Sequence, residues 1–305
     1  MRYAVIGTGA MGGLFGGMLA HAGFDVHFLF RSDYNDVKEK GFTVKSILGN
    51  FTLKNVNAYN STEDMPKCDV ILVCMKTIYE DRIPALIKPI LKPDSFVILI
   101  QNGINMEKFV SEQLPDSVGM AGGMVMASVT KTAPGEITHT NFGTITVGLY
   151  RGNDDILKAF CNDINATGLK AVHSTDYTTE RWRKLVWNMP FNGLSVALDA
   201  STKEIMDNPE SRRLAYNIML EVVEAAQANG AKLTVAYADE MMKATDSMIP
   251  YKPSMYVDYA HHRPMEIQYI YTEVIKSAKS KGVAVPNIEA LEKRLLLIDQ
   301  NSRKL

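Results

Sequence analysis

The sequence predicts an α/β fold: an N-terminal Rossmann-like doubly wound sheet followed by an all-helical C-terminal domain. Three observations predict it. A strand–helix–strand unit punctuated by glycines occupies residues 3–30. Continuous apolar runs at 70–75 (VILVCM) and 95–100 (SFVILI) suit strands buried on both faces of a parallel sheet. Past about Thr178 strand signals stop and apolar residues recur at helical spacing.

Taken in order, Tyr3–Ile6 is a short strand that ends at Gly7. A helix from about Met11 to Ala22 stops at Gly23, a natural C-cap, and Asp25–Phe30 is the second strand. A parallel pair with a right-handed crossover follows. Phe42–Leu48 and Phe51–Val56 flank Gly49-Asn50 and read as a hairpin. Beyond the two buried runs, Met124–Val129 and Thr144–Leu149 add strands, 155–167 a helix and Leu169–His173 a last strand. Helices are expected at 211–229, 263–281 and 288–297. The expected domains are therefore an α/β domain at 1–177 and a helical domain at 178–305.

Composition narrows the function classes. A chain of 305 residues with 46% hydrophobic and 22% charged content is ordinary for a globular enzyme. A net charge of -1 argues against nucleic acid or an anionic membrane as the main partner. No apolar run approaches the ~20 residues of a membrane helix. The N-terminus has no signal-peptide organisation. Three cysteines without a CxxC pair fit a reducing cytoplasm. No metal is expected, since His261, His262 and Glu266 lack a second cluster. The 17 methionines and the long helical half are compatible with a helix-mediated homodimer, although Met clusters more often fill cores.

Gly7-Thr8-Gly9-Ala10-Met11-Gly12 is GxGxxG between a strand and a helix. The glycines provide a tight turn, close approach to a pyrophosphate and close helix–strand packing. The helix N-terminus adds unpaired N–H groups and partial positive charge. NAD-binding versions place an acid at the end of the second strand for the ribose diol. Here Arg31 stands there, which suits the 2′-phosphate of NADP(H), with Asp33 the competing carboxylate. Lys76 and Asn102 follow the two buried strands, where open α/β sheets bind ligands.

The stretch Arg181–Asn192 (RWRKLVWNMPFN) sets Lys184, Asn188 and Asn192 four residues apart. On a helix that spacing drifts only ~40° per step, so a cation and two amides share one strip. Placed at the domain junction, the strip offers a proton donor and two adaptable hydrogen-bonding groups. Pro190 complicates this, because its ring clashes with the carbonyl of Val186 in a straight helix. A kink or shift that re-aims Asn192 is expected. Ser254 after Pro253 reads as an N-cap, and Glu266 as an acid at a helix start.

In order, these features resemble the ketopantoate reductase (2-dehydropantoate 2-reductase) family over nearly the whole chain. GTGAMG, Arg31, Lys76, Gln101-Asn102-Gly103, RWRKLVWNMPFN and PSMYVDYAHHRPMEI carry the resemblance. It implies a helical domain of the 6-phosphogluconate-dehydrogenase-like kind and NADPH-dependent reduction of a 2-oxo acid, 2-dehydropantoate, to (R)-pantoate on the way to pantothenate and coenzyme A. It implies Lys184 as catalytic acid and Asn188, Asn192 and Ser254 as substrate ligands. Glu266 would bind substrate or orient the lysine, and Lys76 and Asn102 would line the cofactor–substrate cleft. Two positions depart from the family pattern, Tyr251 and Thr202, where asparagines are common. Both concern substrate contacts and leave open a reductase of another 2-oxo acid; a non-catalytic NADP(H) sensor is the further alternative, and Lys184 together with Glu266 counts against it.

Overall fold

The structure is a computed structural model and describes residues 1–303. Two compact units divide the chain: residues 1–101 with 106–177, and residues 102–105 with 178–305.

The first unit is built on one ten-stranded sheet. Its strands are β1 (Arg2–Ile6), β2 (Asp25–Leu29), β3 (Phe42–Ser46), β4 (Phe51–Leu53), β5 (Asn57–Tyr59), β6 (Cys68–Val73), β7 (Leu91–Leu99), β8 (Gly119–Ala133), β9 (Glu136–Arg151) and β10 (Lys170–Ser174). The order is β4-β3-β9-β8-β7-β6-β1-β2-β5, with β10 also paired to β9. From β5 to β8 every pair is parallel, whereas β8 and β9 form a long antiparallel hairpin. The apolar runs at 70–75 and 95–100 become β6, beside β1, and β7, beside β6, their side chains almost wholly buried.

Helix α1 (Ala10–His21) sits close on this sheet because it carries glycine where a side chain would collide. A Cβ on Gly16 would meet Phe28 at 2.6 Å and Val5 at 2.7 Å. Gly23, at φ +91°, ends the helix turn in a conformation that favours glycine. Three further helices, α2 (Tyr34–Lys40), α3 (Ile83–Ile87) and α4 (Met106–Ser111), are short, and α5 (Asp154–Ala166) precedes β10.

The β8–β9 hairpin is longer than the two strands expected at 124–129 and 144–149. Toward its tip β8 alternates half-buried and exposed residues and then runs exposed from Lys131 to Ala133. No apolar run marks that part in the sequence. Strand β5, three residues long, gave no signal for the same reason.

The second unit is helical, with no strand among the described residues after Ser174. It contains α6 (Tyr177–Ala197, from Thr178 onward), α7 (Thr202–Asp207), α8 (Pro209–Ala228), α9 (Val235–Asp246), α10 (Ser254–Ala260), α11 (Glu273–Ser280) and α12 (Pro286–Ser302). Its core joins Leu185, Val186 and Met189 of α6 to Ile218 and Val222 of α8, Tyr271, and Ile288 of α12. The helix expected at 263–281 is corrected. Residues 263–266 are irregular, helical backbone starts at Ile267, a π-helical turn covers Gln268–Thr272, and α11 follows from Glu273.

Candidate active site

In the first unit the loop of residues 7–12 has the geometry its glycines imply. Gly7 adopts φ +94°, and a Cβ there would lie 2.7 Å from the backbone nitrogen of Met75. A Cβ on Gly12 would lie 2.4 Å from the carbonyl oxygen of Gly7. Gly9 differs: a Cβ there meets nothing within 4 Å. Its missing side chain leaves open space beside the N-terminus of α1, where an anion gains most from unpaired N–H groups. The Gly9 N–H donates to Gly7 O (2.8 Å), and the Thr8 hydroxyl donates to Leu29 O at the end of β2 (2.8 Å). The loop is thus fixed to the strand whose end carries Arg31.

Arg31 and Ser32 are exposed, whereas Asp33 is 5% exposed. The Asp33 carboxylate accepts hydrogen bonds from Lys131 Nζ (2.5 Å), the Gly135 N–H (3.0 Å) and the Ser32 hydroxyl (2.7 Å). Burial pushes its pKa up, but these three donors outweigh that and leave it lowered. The competing carboxylate is therefore spent on protein groups. Lys131 escaped the sequence reading because 98 residues separate it from Asp33.

Lys76 is half-buried where the chain leaves β6. Close by, the Gln101 amide donates to Met75 O (3.0 Å) and Glu80 Oε2 (2.8 Å), tying the ends of β6 and β7 together.

The second unit gathers Asn102, Lys184, Asn188, Asn192, Ser254 and Glu266. Residues 102–105 are held by backbone: a Cβ on Gly103 would meet Tyr269 O at 2.4 Å, and the Ile104 N–H donates to the same oxygen (3.1 Å). Asn105, with φ +70°, donates from its amide to Glu273 Oε2 (3.2 Å). This anchoring brings Asn102 to α6, where Asn188 Nδ2 donates to Asn102 Oδ1 at 3.4 Å, a long bond.

Lys184 is half-buried on α6, next to Leu185 and Val186, which are buried. Desolvation lowers its pKa from the ordinary lysine value, the Arg181 guanidinium lowers it further, and Glu266 raises it, leaving it at about 8. Arg181, 3% exposed and three residues before Lys184, is a member of the site that the sequence reading passed over. Its i, i+3 spacing was the available signal. Glu266 directly precedes Ile267, the first helical residue, so it stands at a helix start as expected, although that helix begins later than 263.

α6 continues as one helix through Pro190. Asn192 is 2% exposed, and both ends of its amide have partners. Its Nδ2 donates to Asn188 O (2.9 Å), while its Oδ1 accepts from the Met255 N–H (3.1 Å) and the Ser254 hydroxyl (3.4 Å). Asn192 therefore joins α6 to the start of α10. Pro253 holds the N-cap position, and Ser254, exposed at the first helical position, turns its hydroxyl to Asn192 instead of capping.

Thr202 and Tyr251, far apart in sequence, are bonded to each other. The Thr202 N–H donates to Tyr251 O (3.0 Å), and the Tyr251 N–H donates to Thr202 Oγ1 (3.3 Å). The Tyr251 ring stacks on Trp187, with centroids 6.0 Å apart and planes 11° apart.

Two family profiles match the chain. The family profile described as ketopantoate reductase PanE/ApbA matches residues 3–152, and that of ketopantoate reductase PanE/ApbA C terminal matches residues 176–296. The chain belongs to the ketopantoate reductase family. It is 39% identical over 308 residues to a 2-dehydropantoate 2-reductase of Nostoc sp., covering 99% of this chain and 96% of that relative. A solved 2-dehydropantoate 2-reductase from Geobacter metallireducens GS-15 is similar with a TM-score of 0.92 at 34% identity, over 97% of this chain and 99% of that one. The corresponding protein from Methylococcus capsulatus gives a TM-score of 0.93 at 32% identity, over 100% and 99%. The Rossmann-like sheet followed by helices is the architecture of this ketopantoate reductase family. Among the described residues no helix is long and apolar enough to cross a membrane, and no group of three His, Cys, Asp or Glu could hold a metal.

Proposed function

We propose that the chain reduces 2-dehydropantoate to (R)-pantoate with NADPH, the first unit (residues 1–177 in the main) binding the dinucleotide and the second carrying substrate and catalysis. The observation that carries this reading is Lys184: a half-buried ammonium, lowered to about 8, beside Glu266 and Arg181 on a helix that also presents Asn188.

The dinucleotide fits the residues of the first unit. The space over Gly9 and the N-terminus of α1 suit the pyrophosphate, Arg31 suits the 2′-phosphate, and Lys76 lies at the carboxyl end of β6. Thr8, Ala10 and Met11 shape the loop between the three glycines. The chemistry a bound NADPH supplies is a hydride for the C2 carbonyl carbon.

As that carbon gains the hydride, negative charge develops on the carbonyl oxygen. The Lys184 ammonium stabilises that charge and donates its proton to the oxygen, which gives the alcohol. A pKa near working pH keeps the lysine protonated yet able to release the proton. Glu266 holds the lysine charged by opposing the effects of burial and Arg181. Asn102 and Asn188, joined only by a long bond, exchange it readily for the carboxylate and hydroxyl of the substrate. Asn192 acts through Ser254, which it orients. The test is NADPH oxidation with 2-dehydropantoate, compared with other branched 2-oxo acids.

A second reading, reduction of a different 2-oxo acid, draws on Tyr251. Its ring is 43% exposed over Trp187, three residues before Ser254, where the family commonly has an asparagine. A higher kcat/KM on another 2-oxo acid would favour it. The three free cysteines support a reducing, cytoplasmic setting, and the exposed Leu296 and Leu297 on α12 suit a helix-mediated homodimer.

A further inference from the structure

The carboxylate two residues beyond Arg31 has a role that the GxGxxG motif does not explain. An acid just past the second strand of such a fold ordinarily accepts hydrogen bonds from the ribose diol, and its charge repels a 2′-phosphate. Asp33 has the right place in sequence for that. Its oxygens, however, are already occupied: Oδ1 accepts from Lys131 Nζ (2.5 Å) and from the Ser32 hydroxyl (2.7 Å), and Oδ2 accepts from the Gly135 N–H (3.0 Å).

Two further features single this pair out. Asp33 begins α2, yet its side chain caps nothing on that helix and instead crosses to the tip of the β8–β9 hairpin. That tip is itself fixed, since the Gly135 carbonyl accepts from the Thr43 N–H (2.8 Å) and Gly135 adopts φ +68°. The Asp33 side chain is 6% exposed against 36% for Lys131, so the anion is enclosed and its cation stands at the rim. The result is a buried carboxylate neutralised by a lysine, with Arg31 and Ser32 left exposed at the end of β2.

We propose that Asp33 and Lys131 are positioning residues for cofactor choice: the ion pair withdraws and neutralises the one carboxylate that would favour a ribose diol, so that Arg31 faces a 2′-phosphate without a competing anion. The pair is neutral as a unit, and removing the lysine alone leaves a net negative charge beside the phosphate position. Removing both charges restores neutrality. This rests on the NADPH reading above, and deepens it by naming what enforces the preference.

The test is calorimetric binding of NADPH and of NADH to the whole protein, with kcat at saturating NADPH measured alongside. The wild type binds NADPH more tightly than NADH. Lys131→Met weakens NADPH about tenfold, as expected for one uncompensated charge near a screened phosphate, and leaves NADH unchanged or tighter. The kcat at saturation is unchanged. In Asp33→Asn/Lys131→Met, NADPH affinity returns to within about threefold of wild type, because charge and not contact is at issue. Asp33→Asn alone keeps an amide oxygen for Gly135 and retains or strengthens NADPH preference, which covers the case of a Lys131→Met protein that does not fold.

Equal weakening of both cofactors by Lys131→Met, or no recovery in the double variant, overturns the proposal and leaves the NADPH reading intact. A wild type that binds NADH as tightly as NADPH removes the NADPH reading itself, and the inference with it.

Discussion

In the proposed reaction, the glycine loop of the first unit and the Lys184 strip of the second reach a ligand by opposite means. The loop works through side chains it lacks. A methyl group at Gly7 or Gly12 would strike backbone, whereas one at Gly9 would enter only the space over the helix N-terminus. The strip works through side chains whose surroundings change their chemistry. Lys184 is an ordinary lysine until burial, Arg181 and Glu266 set its pKa at about 8. A backbone site therefore tolerates almost no substitution for steric reasons, and a side-chain site can be retuned one neighbour at a time.

The largest expected effect separates the two regions most cleanly. Lys184→Ala lowers kcat by about 10³-fold or more, as the loss of a charge-stabilising proton donor requires, and leaves NADPH affinity within about twofold of wild type. Steady-state kinetics with a parallel binding titration reads both numbers. Gly9→Ala is the mirror case. The added methyl meets no protein atom within 4 Å, so the melting temperature changes little while the KM for NADPH rises by about tenfold or more. A large drop in melting temperature would mean that Gly9 is packed and not open.

Asn192→Ala probes the join between α6 and α10. It leaves the buried Met255 N–H without its acceptor, at a cost of about 1–3 kcal/mol. Thermal unfolding should reveal that loss, alongside a weaker substrate KM through the freed Ser254. An unchanged melting temperature together with a large KM effect would make Asn192 a direct substrate ligand.

The smallest effect is in pH dependence. Lys184 must be protonated to act as an acid, so kcat/KM falls as pH rises through about 8. Glu266 raises that pKa, so Glu266→Gln moves the alkaline limb to lower pH. Stability runs the other way. The folded pKa lies below the unfolded one, so between about 8 and the ordinary lysine value the folded chain binds fewer protons. Stability therefore improves with pH across that window. Lys184→Met should melt higher than wild type at neutral pH, and the gap should narrow above about pH 8. A gap that does not change with pH would show that Lys184 is not desolvated.

What could be read in advance follows the same division. The loop, β6, β7 and α1 were legible because local covalent facts and continuous apolar runs dictate them. Lys184 and Asn188 were legible as a spacing. Two things were not. Asn192 shares the spacing, but its burial depends on Met255, 63 positions on. Lys131 meets Asp33 only because β8 and β9 extend into an exposed hairpin that no apolar pattern announces. Each concerns a partner distant in sequence, where local pattern carries no information.

The most direct test of the central claim is single-turnover reduction of 2-dehydropantoate by wild type and Lys184→Ala, each saturated with NADPH and followed from pH 6 to pH 10. The account predicts a wild-type hydride-transfer rate that declines above about pH 8 and a variant slower by about 10³-fold with that limb abolished. A variant that reduces 2-dehydropantoate at near the wild-type rate, or that keeps the same alkaline limb, would contradict it.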